Sequence, residues 1–164
     1  MKRILLILII LFLTACGSND TTEDPSVNEN DNDEIQEDEI ETLFEKEINI
    51  TISDNDDLRV DLLHVAHGRS QSTDNVSLQI EVENKQNKTF KFYIDSLKID
   101  GREIDSLHAW ISDGEIDPEE IKTTYINGYE YEELTFKEHI SGTIIYNDYE
   151  GNRNKLQFSE YINE

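Results

Sequence analysis

The 164 residues include one cysteine, one tryptophan and one methionine. A lone cysteine excludes a disulfide within the chain, so a domain of this size must hold through its core alone. Basic residues are scarce too: 14 Lys and Arg stand against 37 Asp and Glu, giving a formal net charge of −23. A surface with that balance repels nucleic acid and anionic lipid or polymer, so nucleic acid is excluded as a partner. No apolar run reaches the roughly 20 residues that a membrane-crossing helix needs; Ile4 to Leu13 stops at ten. Gly-x-Ser-x-Gly, Ser-x-x-Lys and His-Glu-x-x-His are all missing, which removes the common nucleophile and zinc-hydrolase signatures. Carboxylates are so abundant that no acid pair stands out as catalytic. The chain is read as no enzyme, with no cofactor and no metal.

What is present begins with Met1, Lys2 and Arg3, followed by the apolar run and by Leu13-Thr14-Ala15-Cys16. A positive start, a short apolar middle and small residues at a cut form an export signal. The run is apolar on all sides and has no amphipathic face with which to join a folded core. Leu13-Thr14-Ala15-Cys16, followed by Gly17, resembles the lipobox of bacterial lipoproteins. The resemblance implies that the Cys16 thiol takes a diacylglycerol and that the bond before it is cut. Cys16 then becomes the lipidated N-terminus, and the partner it implies is the cell membrane, met from its extracytoplasmic face. Two acyl chains anchor firmly, at about 0.8 kcal/mol per buried CH₂. The mature chain keeps all 37 acidic residues and loses Lys2 and Arg3, so its net charge is 12 − 37 = −25.

Three segments follow: a signal peptide over 1–15, an acidic linker over 16–45 and a folded domain over 46–164. Gly17 to Glu45 contains twelve acidic residues and no Lys or Arg. Such a stretch buries too little apolar surface to offset the entropy of ordering, and like charges extend it. It reads as a disordered spacer, with a short helical turn allowed by Ile35, Ile40, Leu43 and Phe44 near its end. A calcium-binding acidic tail is the rival reading.

From Lys46 the periodicity becomes two. Ile48, Ile50 and Ile52 alternate with polar residues, as do Leu58, Val60 and Leu62, the mark of half-buried strands. Val76, Leu78, Ile80 and Val82 give the cleanest alternation. Phe90, Phe92 and Ile94 follow, with a bend at Asp95-Ser96 before Leu97 and Ile99. Asp100-Gly101 is a hairpin signal. Tyr125, Tyr129 and Tyr131 surround Asn127-Gly128, which reads as a second hairpin. Thr143 to Tyr146 and Leu156 to Phe158 supply the last strands. Seven to nine short strands in about 119 residues predict an all-β antiparallel sandwich or barrel with one core.

Within that pattern, Val82-Glu83-Asn84-Lys85, Leu97-Lys98-Ile99-Asp100-Gly101-Arg102, Gly142-Thr143-Ile144-Ile145-Tyr146 and Lys155-Leu156-Gln157-Phe158 resemble a known domain. It is the immunoglobulin-like domain of Gram-positive lipoproteins and of secreted immunoprotective antigens of mycobacteria. The resemblance implies an immunoglobulin-like β-sandwich and brings no catalytic residues.

Four groups are candidates for chemistry. His64 and His67 lie three apart, which puts them on opposite faces of a strand and against a shared zinc; both are expected to be solvated or at an edge. Asp54-Asn55-Asp56-Asp57 offers oxygen ligands, but an EF-hand needs Gly at the sixth position and Glu at the twelfth, where Arg59 and Val65 stand. An Asx turn is the simpler reading. Trp110 is expected in the core. Tyr125, Tyr129 and Tyr131 form the candidate binding patch, since aromatic residues on a sheet surface stack on sugars or anchor protein interfaces. The function expected is a membrane-anchored interaction or accessory module, with another envelope protein as partner. The alternatives are a calcium- or small-ligand-binding domain and an envelope enzyme.

Overall fold

A computed structural model describes residues 40–162. The signal segment, Cys16 and most of the acidic spacer lie outside the described residues, as do Asn163 and Glu164. Ten strands follow one another without a helix among the described residues: β1 (Glu41–Asp54), β2 (Leu58–Arg69), β3 (Asp74–Asn84), β4 (Phe90–Ile99), β5 (Arg102–Ile104), β6 (Ala109–Ser112), β7 (Glu115–Ile116), β8 (Ile121–Glu130), β9 (His139–Asp148) and β10 (Arg153–Tyr161). They form two antiparallel sheets. The first runs β1-β2-β3-β8-β6; the second runs β10-β9-β4-β5, with β7 also paired to β4. The all-β antiparallel sandwich expected from the alternation is what the chain adopts.

The core lies between the sheets. Leu58, Val60, Leu62 and Val65 of β2, Val76 to Val82 of β3 and Ile126 of β8 face Phe90, Phe92, Leu97 and Ile99 of β4, Ile140 and Ile144 of β9, and Leu156 and Phe158 of β10. Alternation in β2 breaks at Leu63, where the β2–β3 register shifts between Leu62 and His64. That bulge reverses which residues point inward, so Val65 and His67 are buried while His64 faces out beside Glu45, 3.1 Å away. His67 is therefore neither solvated nor at an open edge. It is 3% exposed and lies edge-on to the Phe136 ring.

Buried carboxylates and one amide fasten the loops. Asp74 takes a two-pronged contact from Arg69, at 2.6 and 3.0 Å, and accepts the Leu134 amide. The Arg69 guanidinium holds the Asp74 carboxyl below its ordinary range. Asp148 accepts the Glu150 and Asn152 amides and the Asn152 side chain, and pairs with Lys88, which likewise keeps its carboxyl low. Asn84, at the end of β3, donates to the Lys88 and Asp117 carbonyls and accepts the Gln86 amide. The Asp100-Gly101 hairpin is present between β4 and β5. Both its residues have positive φ, 47° and 83°, as a two-residue turn of the primed type requires.

Further expectations are corrected. β1 begins at Glu41, five residues before the expected domain start at Lys46, and in place of a helical turn Phe44 points inward onto Phe136, ring centroids 4.9 Å apart. That partly buried contact against the core outweighs the charge of the flanking residues. Asn127-Gly128 is no hairpin: β8 runs unbroken through it, paired with β3 on one side and β6 on the other. Gly128 eases the close approach of the sheets, because a Cβ there would lie 3.1 Å from Leu97 Cδ2. Trp110 is not core. In β6 its neighbours Ala109 and Ile111 pack against the core, so period two sends Trp110 outward, 46% exposed.

Candidate functional site

With β8 a single strand, Tyr125, Asn127 and Tyr129 fall at alternate positions and all project from the outer face of the first sheet. Register extends each into a row across the sheet. Tyr125 pairs with Gln79 and Ser112, Asn127 with Ser77 and Trp110, and Tyr129 with Asn75. β3 continues the middle row to Ala66 of β2 and the row beside it to Gly68.

An aromatic corner forms where β8 ends. His108 stacks on Tyr129 at 4.4 Å between centroids with planes 23° apart. Tyr131 stands edge-on to both rings, at 5.5 and 5.7 Å, and Trp110 meets Tyr129 at 6.2 Å. These offset and edge geometries are the favourable ones for rings. Desolvation in the corner, with Tyr131 beside it, pushes the Tyr129 hydroxyl up. Of the three tyrosines expected to form a patch, Tyr129 and Tyr131 are in ring contact. Tyr125 shares their face but stands four residues along the strand, 43% exposed.

A polar line crosses the same face. The Ser77 hydroxyl donates to Asn127 Oδ1 at 3.0 Å, and Asn127 Nδ2 donates to Ser112 Oγ at 2.9 Å. Beside it runs a groove of about 350 Å³, floored by Ala66, Gly68 and Ser77 and walled by Ile40 and Trp110. Ile40 packs over Gly68, where a Cβ would come within 2.7 Å of Ile40 Cγ2. A second opening of about 380 Å³ lies between β4 and β6 on the far side of Trp110, bordered by Tyr93, Ile94 and Glu115. Trp110 is thus the ridge between two depressions.

His108, Trp110, Asn127 and Ser77 are the members that sequence reasoning missed. The signal was there in Tyr125-x-Asn127-x-Tyr129 at period two, concealed by the turn propensity of Asn-Gly. The other candidates are structural. Asn55 Oδ1 accepts the Asp57 and Leu58 amides, so the acidic loop is the Asx turn, and Lys85 pairs with Asp54 and lowers its carboxyl. Among the described residues no three His, Cys, Asp or Glu side chains converge to hold a metal ion.

No family model matches the chain. No curated protein matches it either.

Proposed function

We propose that this chain is a lipoprotein, held through Cys16 at the extracytoplasmic face of the cell membrane, whose immunoglobulin-like sandwich is a non-catalytic binding module. The acidic residues after Cys16 act as a spacer that carries the module away from the bilayer, extended by their own repulsion. The module engages its partner with the outer face of the first sheet. One observation carries the binding reading: His108, Trp110, Tyr129 and Tyr131 form a connected ring cluster at the surface. Exposed aromatic clusters of this kind are rare on surfaces with nothing to bind and are enriched where proteins meet ligands.

Two measurements test the reading. Radiolabelled palmitate should enter the wild-type chain in its host membrane and not the Cys16→Ser variant, which should leave the membrane fraction. Equal labelling of the variant would refute the anchor. Cross-linking of the anchored chain to its membrane and wall neighbours should then be lost with Trp110→Ala. Unchanged neighbours would refute the choice of face.

A further inference from the structure

We propose that the outer face of the first sheet binds a neutral glycan chain. This deepens the binding-face reading and rests on it. A pyranose ring has two apolar C–H faces and a rim of hydroxyls, so its site needs flat apolar surfaces beside hydrogen-bonding groups that carry no charge. Trp110, Tyr125 and Tyr129 supply the surfaces, with Trp110 and Tyr125 each nearly half exposed. Asn127 lies between the two tyrosines along β8 and opposite Trp110 across the ladder. Its amide is held on both sides, by Ser77 and by Ser112. A held amide is oriented before the ligand arrives, which lowers the ordering cost of binding. Its second N–H and the Ser112 hydroxyl proton have no other partner among the described residues, and both are donors a sugar hydroxyl can accept.

Charge argues for a neutral ligand. Nearly a third of the chain is charged, yet no Asp, Glu, Lys or Arg lines the groove between Trp110 and Ile40; Lys91 and Glu115 border only the depression on the far side of Trp110. The carboxylates of this sheet border the face and do not cross it: Glu81 and Glu83 lie farther along β3, Glu41, Glu45 and Glu47 on the edge strand β1, and Glu130 at the end of β8, where it accepts the Asp105 amide. A basic peptide would seek those carboxylates. An apolar helix would need an unbroken apolar stripe, and here amide and hydroxyl groups interrupt the rings. The length argues for a chain over a single sugar. Tyr125 and Tyr129 are four residues apart on an extended strand, about 13 Å at ~3.3 Å per residue, more than one pyranose ring covers.

Trp110 is the only tryptophan, so tryptophan emission, excited beyond the tyrosine absorption band, reads this face alone. The full chain in detergent is titrated with two probes, chitohexaose and cellohexaose, and with the matching disaccharides. At least one hexamer should quench or blue-shift the emission saturably. Its affinity should exceed the disaccharide's by about tenfold or more and survive high salt, which screens charge and leaves stacking intact. By calorimetry, Trp110→Ala and Asn127→Ala should each weaken binding about tenfold, whereas Tyr161→Ala, an exposed ring on the second sheet, should leave it unchanged. Circular dichroism verifies that each variant is folded. No change in emission and no heat with either hexamer at millimolar concentration would overturn the assignment. Binding that survives Trp110→Ala would overturn it as well. If the hexamers fail while Trp110→Ala still abolishes cross-linking to an envelope protein, the glycan falls and the binding face stands. If both fail, the face falls with it.

Discussion

Strand β8 has two faces that obey different rules. Thr124, Ile126 and Gly128 point inward and are buried; Tyr125, Asn127 and Tyr129 point outward on the same ten residues. Packing accounts for the inward set. Ile126 is fully buried in the core, the Thr124 hydroxyl donates to the Ser112 carbonyl, and Gly128 lets Leu97 approach. Packing does not account for the outward set: an exposed strand position tolerates almost any β-compatible residue. The outward face of the second sheet is more polar along its middle, with Ser141, Thr143, Lys155, Gln157 and Ser159, and its rings, Tyr93 and the His139–Tyr161 pair, stand apart from one another on β4 and at the ends of β9 and β10. Side chains that fold the domain and side chains that are free to bind alternate along one strand.

The sharpest way to break that division is to cut into the inner face. Ile126→Ala should cost about 2–5 kcal/mol, read as a lowered urea midpoint. A loss below about 1 kcal/mol would mean that β8 contributes little to the core. Gly128→Ala should cost less, about 1 kcal/mol, since the added methyl would stand 3.1 Å from Leu97 Cδ2, which must give by a few tenths of an ångström. It should do so although the φ of Gly128 is one that alanine adopts readily, which separates crowding from backbone strain.

Acid should act on the inner face and its fastenings. Asp74 and Asp148 have carboxyls lowered by Arg69 and Lys88. Their contribution is complete above the unfolded carboxyl value of about 3.9 and is lost as pH falls from there through the folded values. His67 is lowered by burial, so the unfolded chain takes up its proton first, and stability declines as pH drops below about 6.5. The urea midpoint should therefore fall in two stages, one setting in below about pH 6.5 and one below about pH 4, and His67→Leu should remove the upper stage alone. A midpoint that is flat from about pH 7 to pH 5 in the wild type would contradict the burial of His67. The smallest effect belongs to the outer face: Tyr125→Ala should change stability by no more than about 0.5 kcal/mol. A larger loss would make the tyrosine a folding residue.

Most of the sandwich was legible in the alternation, because one face of each long strand meets the core and the other meets water. Val76 to Val82 state that pattern without interruption, and the structure buries all four apolar members. Reading failed where tertiary neighbours overrode a local preference. Asn127-Gly128 has the composition of a tight turn, but two flanking strands keep it extended. The Leu63 bulge cannot be seen in β2 alone, since it exists only relative to β3. The acidic run up to Glu45 concealed a strand start because charge dominated its composition, while a single ring, Phe44, supplied the contact that holds it. The site was half legible for the same reason. Tyrosines were visible as a group, but their alignment with Trp110 and Ser77 required the pairing of β8 with both neighbours.

Amide NMR of the isotopically labelled full chain, titrated with chitohexaose and cellohexaose, tests the division of faces most directly. Shifts should concentrate on Ser77, Trp110, Ser112, Tyr125, Asn127 and Tyr129, with the second sheet unmoved. Shifts centred on Thr143 and Gln157 of the second sheet, or none anywhere at saturating hexamer, would contradict it.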